Sequence, residues 1–378
     1  MRVLLTGGGT SGHVTPALAI ADIIKKNDSS AEFAYIGTPN GIERRLVEKE
    51  GMTFYPINIQ GVRRPYISLS NVKTAYLMMT SQLESKKIIE KFKPDIVIGT
   101  GGYVCWAPLK VASEMGIPTM IHESNAIAGL ATRRVEDKVD IILTNFKQTA
   151  NTIKHKSKVR NVGNPIRKVS DGMEKAEARK KLGISDDIKF VVLSFGGSLG
   201  APKINEAAID VMRGFDQSHS DVAHYHSGGK NYYKNAMQLF VGYSLEKKPN
   251  LDIKEYIYNM PLHMAAADVV ICRAGAMTLT EIAINRKPAI LIPSPNVTDG
   301  HQYKNAKALA DKGAAILIGE EELDFEKINS VMQELYENNE KRMAMTEALA
   351  EFANPYVDDQ IYEEIKALIR NKSKIKIK

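Results

Sequence analysis

Short apolar runs alternate with longer stretches of helical periodicity along nearly all of this 378-residue chain. Runs bounded by turn residues read as strands buried on both faces, and the stretches between them read as helices. A first series of strands is predicted at 2–6, 31–36, 52–57, 95–98, 118–122 and 140–143, with a helix from about Pro16 to Lys26 after the first. Gly163-Asn164-Pro165 then breaks the pattern, because a proline forces its predecessor out of the α region. The second series starts with a helix at 174–182. Its strands are predicted at 189–194, 222–226, 251–257, 269–273, 289–293 and 314–318. A last helix, 357–370, follows an interruption at Asn354-Pro355. Alternation of this kind predicts α/β architecture: two Rossmann-like, doubly wound parallel-sheet domains facing across a cleft. The expected boundaries are 1–165 and 166–355, with the terminal helix, 356–378, crossing back to the first domain.

Each series opens strand, glycine loop, helix. The first loop is Gly7-Gly8-Gly9-Thr10-Ser11-Gly12-His13, and the second is Gly196-Gly197-Ser198-Leu199-Gly200. A third corner follows the run Val269–Cys272, where Gly275 ends the strand and 276–283 reads as a helix start. Such corners aim free backbone N–H groups and the positive end of a helix dipole at one point, a natural phosphate site. Gly7-x-Gly9-x-x-Gly12 matches the dinucleotide fingerprint, but Ile36 is followed by Gly37-Thr38-Pro39 where that fingerprint needs an acid. Phosphate binding without a nicotinamide is therefore the better reading.

Composition narrows the class. With 44% hydrophobic and 25% charged residues the chain is ordinary globular protein. Two cysteines in apolar contexts, Cys105 and Cys272, predict reduced thiols and a cytoplasmic address. The net charge of +7 is concentrated: 61–93 carries seven basic residues against two acidic ones, and 366–378 carries six and none. Local basic patches favour an anionic surface or ligand over a nucleic-acid coat. No Asp-x-Asp pair occurs, so no metal held by carboxylates on a nucleotide diphosphate is implied, and no cofactor.

Several side chains carry two readings at this level. Glu281 could hold a neutral diol such as a ribose, or close a capping box with Thr278. His13, at a helix N-terminus that disfavours imidazolium, could accept a proton, or serve as a structural histidine. Glu123 and Asn125 could orient a ligand or shape a turn. Ser198 is placed to bond a diphosphate, and Arg167 to neutralise one unless it is a plain surface arginine. Gln302 and Asn305 are amides aimed from a helix start, or helix-surface polarity.

Six separated stretches, in order, resemble one family over nearly the full length: Gly8 to Val14, His122 to Leu130, Gly163 to Arg167, Gly196 to Ala201, Cys272 to Glu281 and His301 to Asn305. It is the MurG family, the undecaprenyl-diphospho-muramoylpentapeptide N-acetylglucosaminyltransferases of glycosyltransferase family 28. The resemblance implies a GT-B fold and an inverting, metal-independent transfer of GlcNAc from UDP-GlcNAc to the muramoyl 4-hydroxyl of lipid I, giving lipid II. It also implies that Ser198, Ile257, Ala276, Met277, Thr278, Leu279, Thr280, Glu281 and Gln302 contact the nucleotide-sugar, Glu281 at the ribose and the Ile257 backbone at uracil. Thr10, Ser11, Gly12, Asn125 and Arg167 would line the sugar and diphosphate end, with His13 the candidate base and Glu123 its substitute. Ser11 stands where many members have glycine, His301 replaces the first of a glutamine pair, and Cys105-Trp106 departs from small residues. Two alternative readings stand beside it: a UDP-GlcNAc 2-epimerase, an enzyme class that shares the fold, and a non-catalytic, membrane-peripheral nucleotide-sugar binding module.

The acceptor's polyprenyl tail stays in the bilayer, which implies peripheral docking on the cytoplasmic face of the cell membrane, where other cell-wall synthesis proteins could be partners. In the helix predicted within 61–93, Leu69, Val72, Tyr76, Met79 and Leu83 share the expected core stripe. Leu77 and Met78 point off it among Arg63, Arg64, Lys73, Lys86, Lys87, Lys91 and Lys93, as a membrane contact or as packing on a neighbouring helix.

Overall fold

The computed structural model describes residues 1–61, 69–166 and 173–376. By internal packing the chain divides into two units, Met1–Arg167 with Asn354–Lys378, and Lys168–Ala353.

The first unit runs β1 (Arg2–Thr6), α1 (Ser11–Asn27), β2 (Glu32–Gly37), α2 (Ile42–Lys49), β3 (Thr53–Pro56), α3 (Leu69–Phe92) and β4 (Ile96–Gly99). It continues with α4 (Trp106–Glu114), β5 (Thr119–Glu123), α5 (Leu130–Val135), β6 (Ile141–Thr144) and β7 (Val159–Asn161). One sheet takes the order β3-β2-β1-β4-β5-β6-β7, and every pair in it is parallel. Val3, Leu4 and Leu5 on β1 and Ile96, Val97 and Ile98 on β4 are fully buried, as strands covered by helices on both faces must be. The order reverses between β1 and β4, so the loops leaving those strands open at one point. The short edge strand β7 escapes a hydrophobic reading because Val159-Arg160-Asn161 is polar and mostly exposed, as edges tolerate.

Helix α1 begins at Ser11, five residues before the expected start, and Pro16 lies inside it. The missing Pro16 N–H only withdraws the bond that would reach the Gly12 carbonyl, in the second turn, so the helix survives. In α3 the expected core stripe is instead the exposed one: Tyr76, Met79 and Leu83 are 66%, 70% and 64% exposed. Thr74, Ser81, Ser85 and Ile89 are buried in their place, and α3 packs on α4. Small side chains let two helices approach closely. Their hydroxyls are satisfied locally, Ser81 Oγ by the Met78 carbonyl and Ser85 Oγ by the Ser81 carbonyl. Leu77 and Met78 are half-buried. Arg63 and Arg64 lie outside the described residues, and so do the side chains of Leu69 and Val72.

The second unit runs α6 (Lys175–Lys181), β8 (Phe190–Phe195), α7 (Pro202–Val211), β9 (Val222–Ser227), α8 (Tyr233–Gly242), β10 (Leu251–Lys254) and α9 (Met260–Ala266). Then come β11 (Val269–Cys272), α10 (Ala276–Ile284), β12 (Ala289–Leu291), α11 (His301–Ala310), β13 (Ile316–Leu317), α12 (Phe325–Glu337) and α13 (Asn339–Ala348). Its parallel sheet, β10-β9-β8-β11-β12-β13, repeats the first topology, with the reversal between β8 and β11. Strand β10 stops at Lys254, short of the expected 257, which leaves Ile257 buried in the connection to α9. The last helix, α14 (Val357–Lys376), returns to the first unit. There Val357, Ile361, Ile365 and Leu368 join Leu18, Ala21 and Ile24 of α1 in one core. Among the described residues no helix is long and apolar enough to cross a membrane.

Candidate active site

In the first unit the glycine loop after β1 and the glycine turn after β4 interlock at the reversal of strand order. Gly8 N–H donates to the Gly101 carbonyl at 3.3 Å. A Cβ on Gly102, whose φ is +78°, would lie 2.1 Å from the Gly8 oxygen, so only glycine permits this contact. His13 stands between the two turns, with its Nδ1 3.0 Å from the Gly8 carbonyl and 3.3 Å from Thr10 Oγ1. A carbonyl only accepts, so Nδ1 carries the proton, and Nε2 is the nitrogen that would act as a base. Thr10, Ser11 and Gly12 are exposed at the N-terminus of α1. Ser11 is already helical, which is why a non-glycine residue fits there.

Glu123 and Asn125 occupy the end of β5, but the carboxylate is fully engaged. Glu123 accepts from Asn125 N and Nδ2 at 3.1 and 3.0 Å, from Gly129 N at 2.8 Å and from Thr132 Oγ1 at 2.7 Å. Four donors on a residue 5% exposed make it the post around which 124–129 folds. Buried His122 bonds the Gly163 carbonyl at 2.9 Å and so ties β5 to the Gly163-Asn164-Pro165 segment. Burial holds its ring below the usual histidine range, against the opposing pull of this carbonyl and of Glu123. Arg167 lies outside the described residues.

In the second unit the corner after β11 is built without the capping box. Helix α10 starts at Ala276 with Gly275 as N-cap, so Thr278 is already the third helical residue and Glu281 the sixth. Glu281 is therefore released from helix capping. Among the described residues its carboxylate has no partner, and burial alone pushes its pKa up to about 7. Gly275 has an ordinary φ of −66°, and an added Cβ would meet nothing nearer than Thr278 Oγ1 at 3.8 Å. Packing among the described residues does not require glycine there. Ala276, Leu279 and Thr280 are buried, while Met277 and Thr278 are half-buried on the same turn.

Neighbouring side chains fix this corner. Asn305, fully buried, donates from Nδ2 to the Ala274 carbonyl at 3.3 Å. Gln302 Oε1 accepts from Ser294 N at 2.9 Å and holds the loop after β12. Both amides thus serve loops and are not plain helix-surface polarity. Arg273, beside the corner, is committed to Glu320 and to the Ile292 carbonyl.

The Ser198 loop is braced by a network that sequence reading missed. Gly200 and Gly229 approach so closely that a Cβ on Gly229 would lie 2.1 Å from Gly200 N. Lys230 N donates to the Ser198 carbonyl at 3.1 Å and Asn231 N to the Leu199 carbonyl at 3.0 Å. Gly228 N and Gly229 N donate to the Lys254 and Glu255 carbonyls, which carries the brace to the connection holding Ile257. Beneath it, Asn205 Nδ2 donates to the Gly228 carbonyl at 3.0 Å, so its Oδ1 must accept from His226 Nε2 at 3.1 Å. His226 Nδ1 meets Ser194 Oγ at 2.8 Å, and Ser194 Oγ meets His224 Nε2 at 2.7 Å. Burial, with His224 adding to it, drives the His226 pKa down to about 3, so the ring is neutral throughout. The signal was there in His224-x-His226, two polar residues on one face of a strand running into Gly228-Gly229.

The glycosyltransferase family 28 N-terminal domain matches residues 3–144, and the family 28 C-terminal domain matches 191–361. A protein of Acetivibrio thermocellus is 39% identical over 375 residues, 99% of this chain and 100% of its own length. The chain belongs to glycosyltransferase family 28. That relative carries the name UDP-N-acetylglucosamine–N-acetylmuramyl-(pentapeptide) pyrophosphoryl-undecaprenol N-acetylglucosamine transferase, as does a Bacillus cytotoxicus protein 38% identical over 98% of this chain and 100% of its own. Among solved structures of the family, MurG of Acinetobacter baumannii is 26% identical, with a TM-score of 0.74 over 97% of this chain and 99% of its own. A UDP-GlcNAc 2-epimerase of Neisseria meningitidis, bound to UDP-GlcNAc, has a TM-score of 0.67 over 96% and 99% of the two chains, at 15% identity. That likeness is one of fold alone. The family 28 fold is two parallel-sheet Rossmann-like units, as in GT-B enzymes generally.

Proposed function

We propose that this family 28 enzyme transfers GlcNAc, with inversion, from UDP-GlcNAc to the muramoyl 4-hydroxyl of a MurNAc-pentapeptide on undecaprenyl diphosphate. The observation that carries the donor assignment is Glu281: a carboxylate freed from its helix, desolvated and without a partner among the described residues. Such a group is stabilised by a neutral ligand with two adjacent hydroxyls, and a ribose supplies them. Among the described residues a Cβ on Gly275 would meet only Thr278 Oγ1, at an ordinary contact distance of 3.8 Å, which leaves room for the ligand at the backbone. The donor diphosphate is met by the Ser198 loop and the N-terminus of α10, and uracil by the backbone at Ile257. Ala276, Met277, Thr278, Leu279 and Thr280 form the first turn against which the nucleotide-sugar lies, and Gln302 holds the loop beside it.

On the acceptor side Thr10, Ser11, Gly12 and Asn125 line the sugar and diphosphate end, with Arg167 as the cation there. His13 Nε2 takes the proton of the attacking hydroxyl. Glu123 is the support of the Asn125 loop and not the base, because its oxygens are occupied. The acceptor's lipid places the enzyme on the anionic cytoplasmic face of the membrane, held by Tyr76, Met79 and Leu83 of α3 with exposed Lys73, Lys86 and Lys87 around them.

Incubation with UDP-GlcNAc, with and without acceptor, tests this reading. A transferase releases UDP only when acceptor is present. Formation of the manno epimer from donor alone assigns the chain to the epimerases, and tight donor binding without turnover in either arm assigns it to binding modules.

A further inference from the structure

The peptide bond between Gly8 and Gly9 is held at both ends by ionisable side chains. Its carbonyl accepts from His13 Nδ1 at 3.0 Å, and its N–H points at Glu43 Oε2 at 3.4 Å. Glu43, on α2, is fully buried, and its other oxygen accepts from Thr38 N at 2.9 Å and Thr38 Oγ1 at 2.6 Å. Two glycines make room for the carboxylate. A Cβ on Gly8 would lie 2.7 Å from Glu43 Cδ, and one on Gly41 would lie 2.2 Å from Oε1. Among the described residues Glu43 forms no salt bridge, so its charge is met by these hydrogen-bond donors alone. The titratable groups that feel its charge are Tyr35 on β2 and Tyr103 beyond β4, and the Cys105 thiol acts in turn on Tyr35. Burial first, and the charge of Glu43 second, push both tyrosine hydroxyls up, and burial pushes the Cys105 thiol up to about 12. All three are neutral near pH 7.

We propose that Glu43 and His13 form a relay through the Gly8–Gly9 peptide, in which the buried carboxylate fixes the histidine tautomer and stabilises the imidazolium formed when Nε2 takes the acceptor's proton. A peptide group is a resonant unit. An anion at its N–H draws the amide toward its charge-separated form and makes its oxygen the stronger acceptor, the polarisation that strengthens hydrogen-bond chains in low dielectric. The result is the logic of a histidine oriented by an acid, with one amide inserted between them. Glu43 touches no reacting atom and is a positioning residue. The relay rests on His13 being the base.

Turnover–pH profiles and NMR titration of the ¹⁵N-labelled His13 ring, in the parent, Glu43→Gln and His13→Gln, test this. Glu43→Gln is expected to lower kcat roughly tenfold at an unchanged KM for UDP-GlcNAc. The acid limb and the NMR midpoint should move down together by about half a unit to one unit. The parent ring should show the Nδ1–H tautomer. An inactive His13→Gln beside a Glu43→Gln that keeps its midpoint, and kcat within about twofold, overturns the relay while leaving the base in place. A fully active His13→Gln overturns the base and the relay with it. The Nε2–H tautomer in the parent overturns the relay even if Glu43→Gln fails to fold.

Discussion

Burial and charge compete at Glu281, and the competition sets a pH dependence. Its pKa, raised to about 7, exceeds the value in the unfolded chain, so its contribution to stability is present below about 4.5 and lost as pH rises through 7. Glu281→Gln should therefore stabilise the unliganded protein at pH 8, by on the order of 2 kcal/mol, and leave it unchanged near pH 4. Chemical denaturation at the two pH values measures this; equal stability of parent and variant at pH 8 would remove the buried charge from the account. Ligand binding runs the other way. A carboxylate that accepts two hydroxyl bonds must be ionised, so donor affinity should tighten as pH rises through about 7. Glu281→Ala should cost roughly 2–4 kcal/mol of that affinity by calorimetry. His13→Ala should lower turnover by roughly 10²–10⁴-fold at nearly intact donor affinity, and a loss under tenfold makes the residue structural. The type and place of both residues were legible in sequence, because glycine corners and strand ends mark where ligands meet such folds. Their partners were not. Glu43, 30 positions from His13, meets it only through a backbone amide of the loop, and a linear pattern carries no trace of that.

At the scale of elements, the pattern placed strands and helices well and failed where polarity misled it. Helix α3 shows why. Its apolar positions at 76, 79 and 83 have the spacing of a core stripe, yet they face solvent, while Thr74, Ser81 and Ser85 are buried in a helix that packs on α4. A hydroxyl that bonds its own helix's carbonyl is buried as cheaply as a small apolar group, which periodicity of large side chains does not see. The exposed stripe is the proposed bilayer contact, with each nearby lysine contributing about 1 kcal/mol at an anionic surface. Met79→Ser/Leu83→Ser should reduce co-sedimentation with anionic vesicles several-fold while turnover of a soluble acceptor is kept. Leu77→Ser/Met78→Ser should lower the melting temperature instead, because those side chains are half-buried. Parental vesicle binding by the first pair would exclude this stripe. Strand β7 and the early start of α1 were missed for related reasons: one is polar at an edge, and the other carries a proline past its first turn.

Taken whole, the chain repeats one topology twice, with the strand order reversed at β1/β4 and again at β8/β11. The repeat was legible because each half opens strand, glycine loop, helix. The return of α14 to the first unit is secured by its apolar stripe, Val357, Ile361, Ile365 and Leu368, packed on α1. With no Asp-x-Asp pair in the sequence, charge on the departing diphosphate falls to loop amides and helix ends. Turnover should thus persist after exhaustive chelation, and full dependence on added magnesium would contradict this view of the diphosphate site. The central claim is tested most directly by following radiolabelled GlcNAc from UDP-GlcNAc into a polyprenyl-diphospho-MurNAc-pentapeptide acceptor. The account predicts a labelled lipid-linked disaccharide with a β-1,4 bond, formed by the parent and nearly lost in His13→Ala and Glu281→Ala. Label that stays on the nucleotide, or appears as free sugar while the acceptor is unchanged, would contradict it.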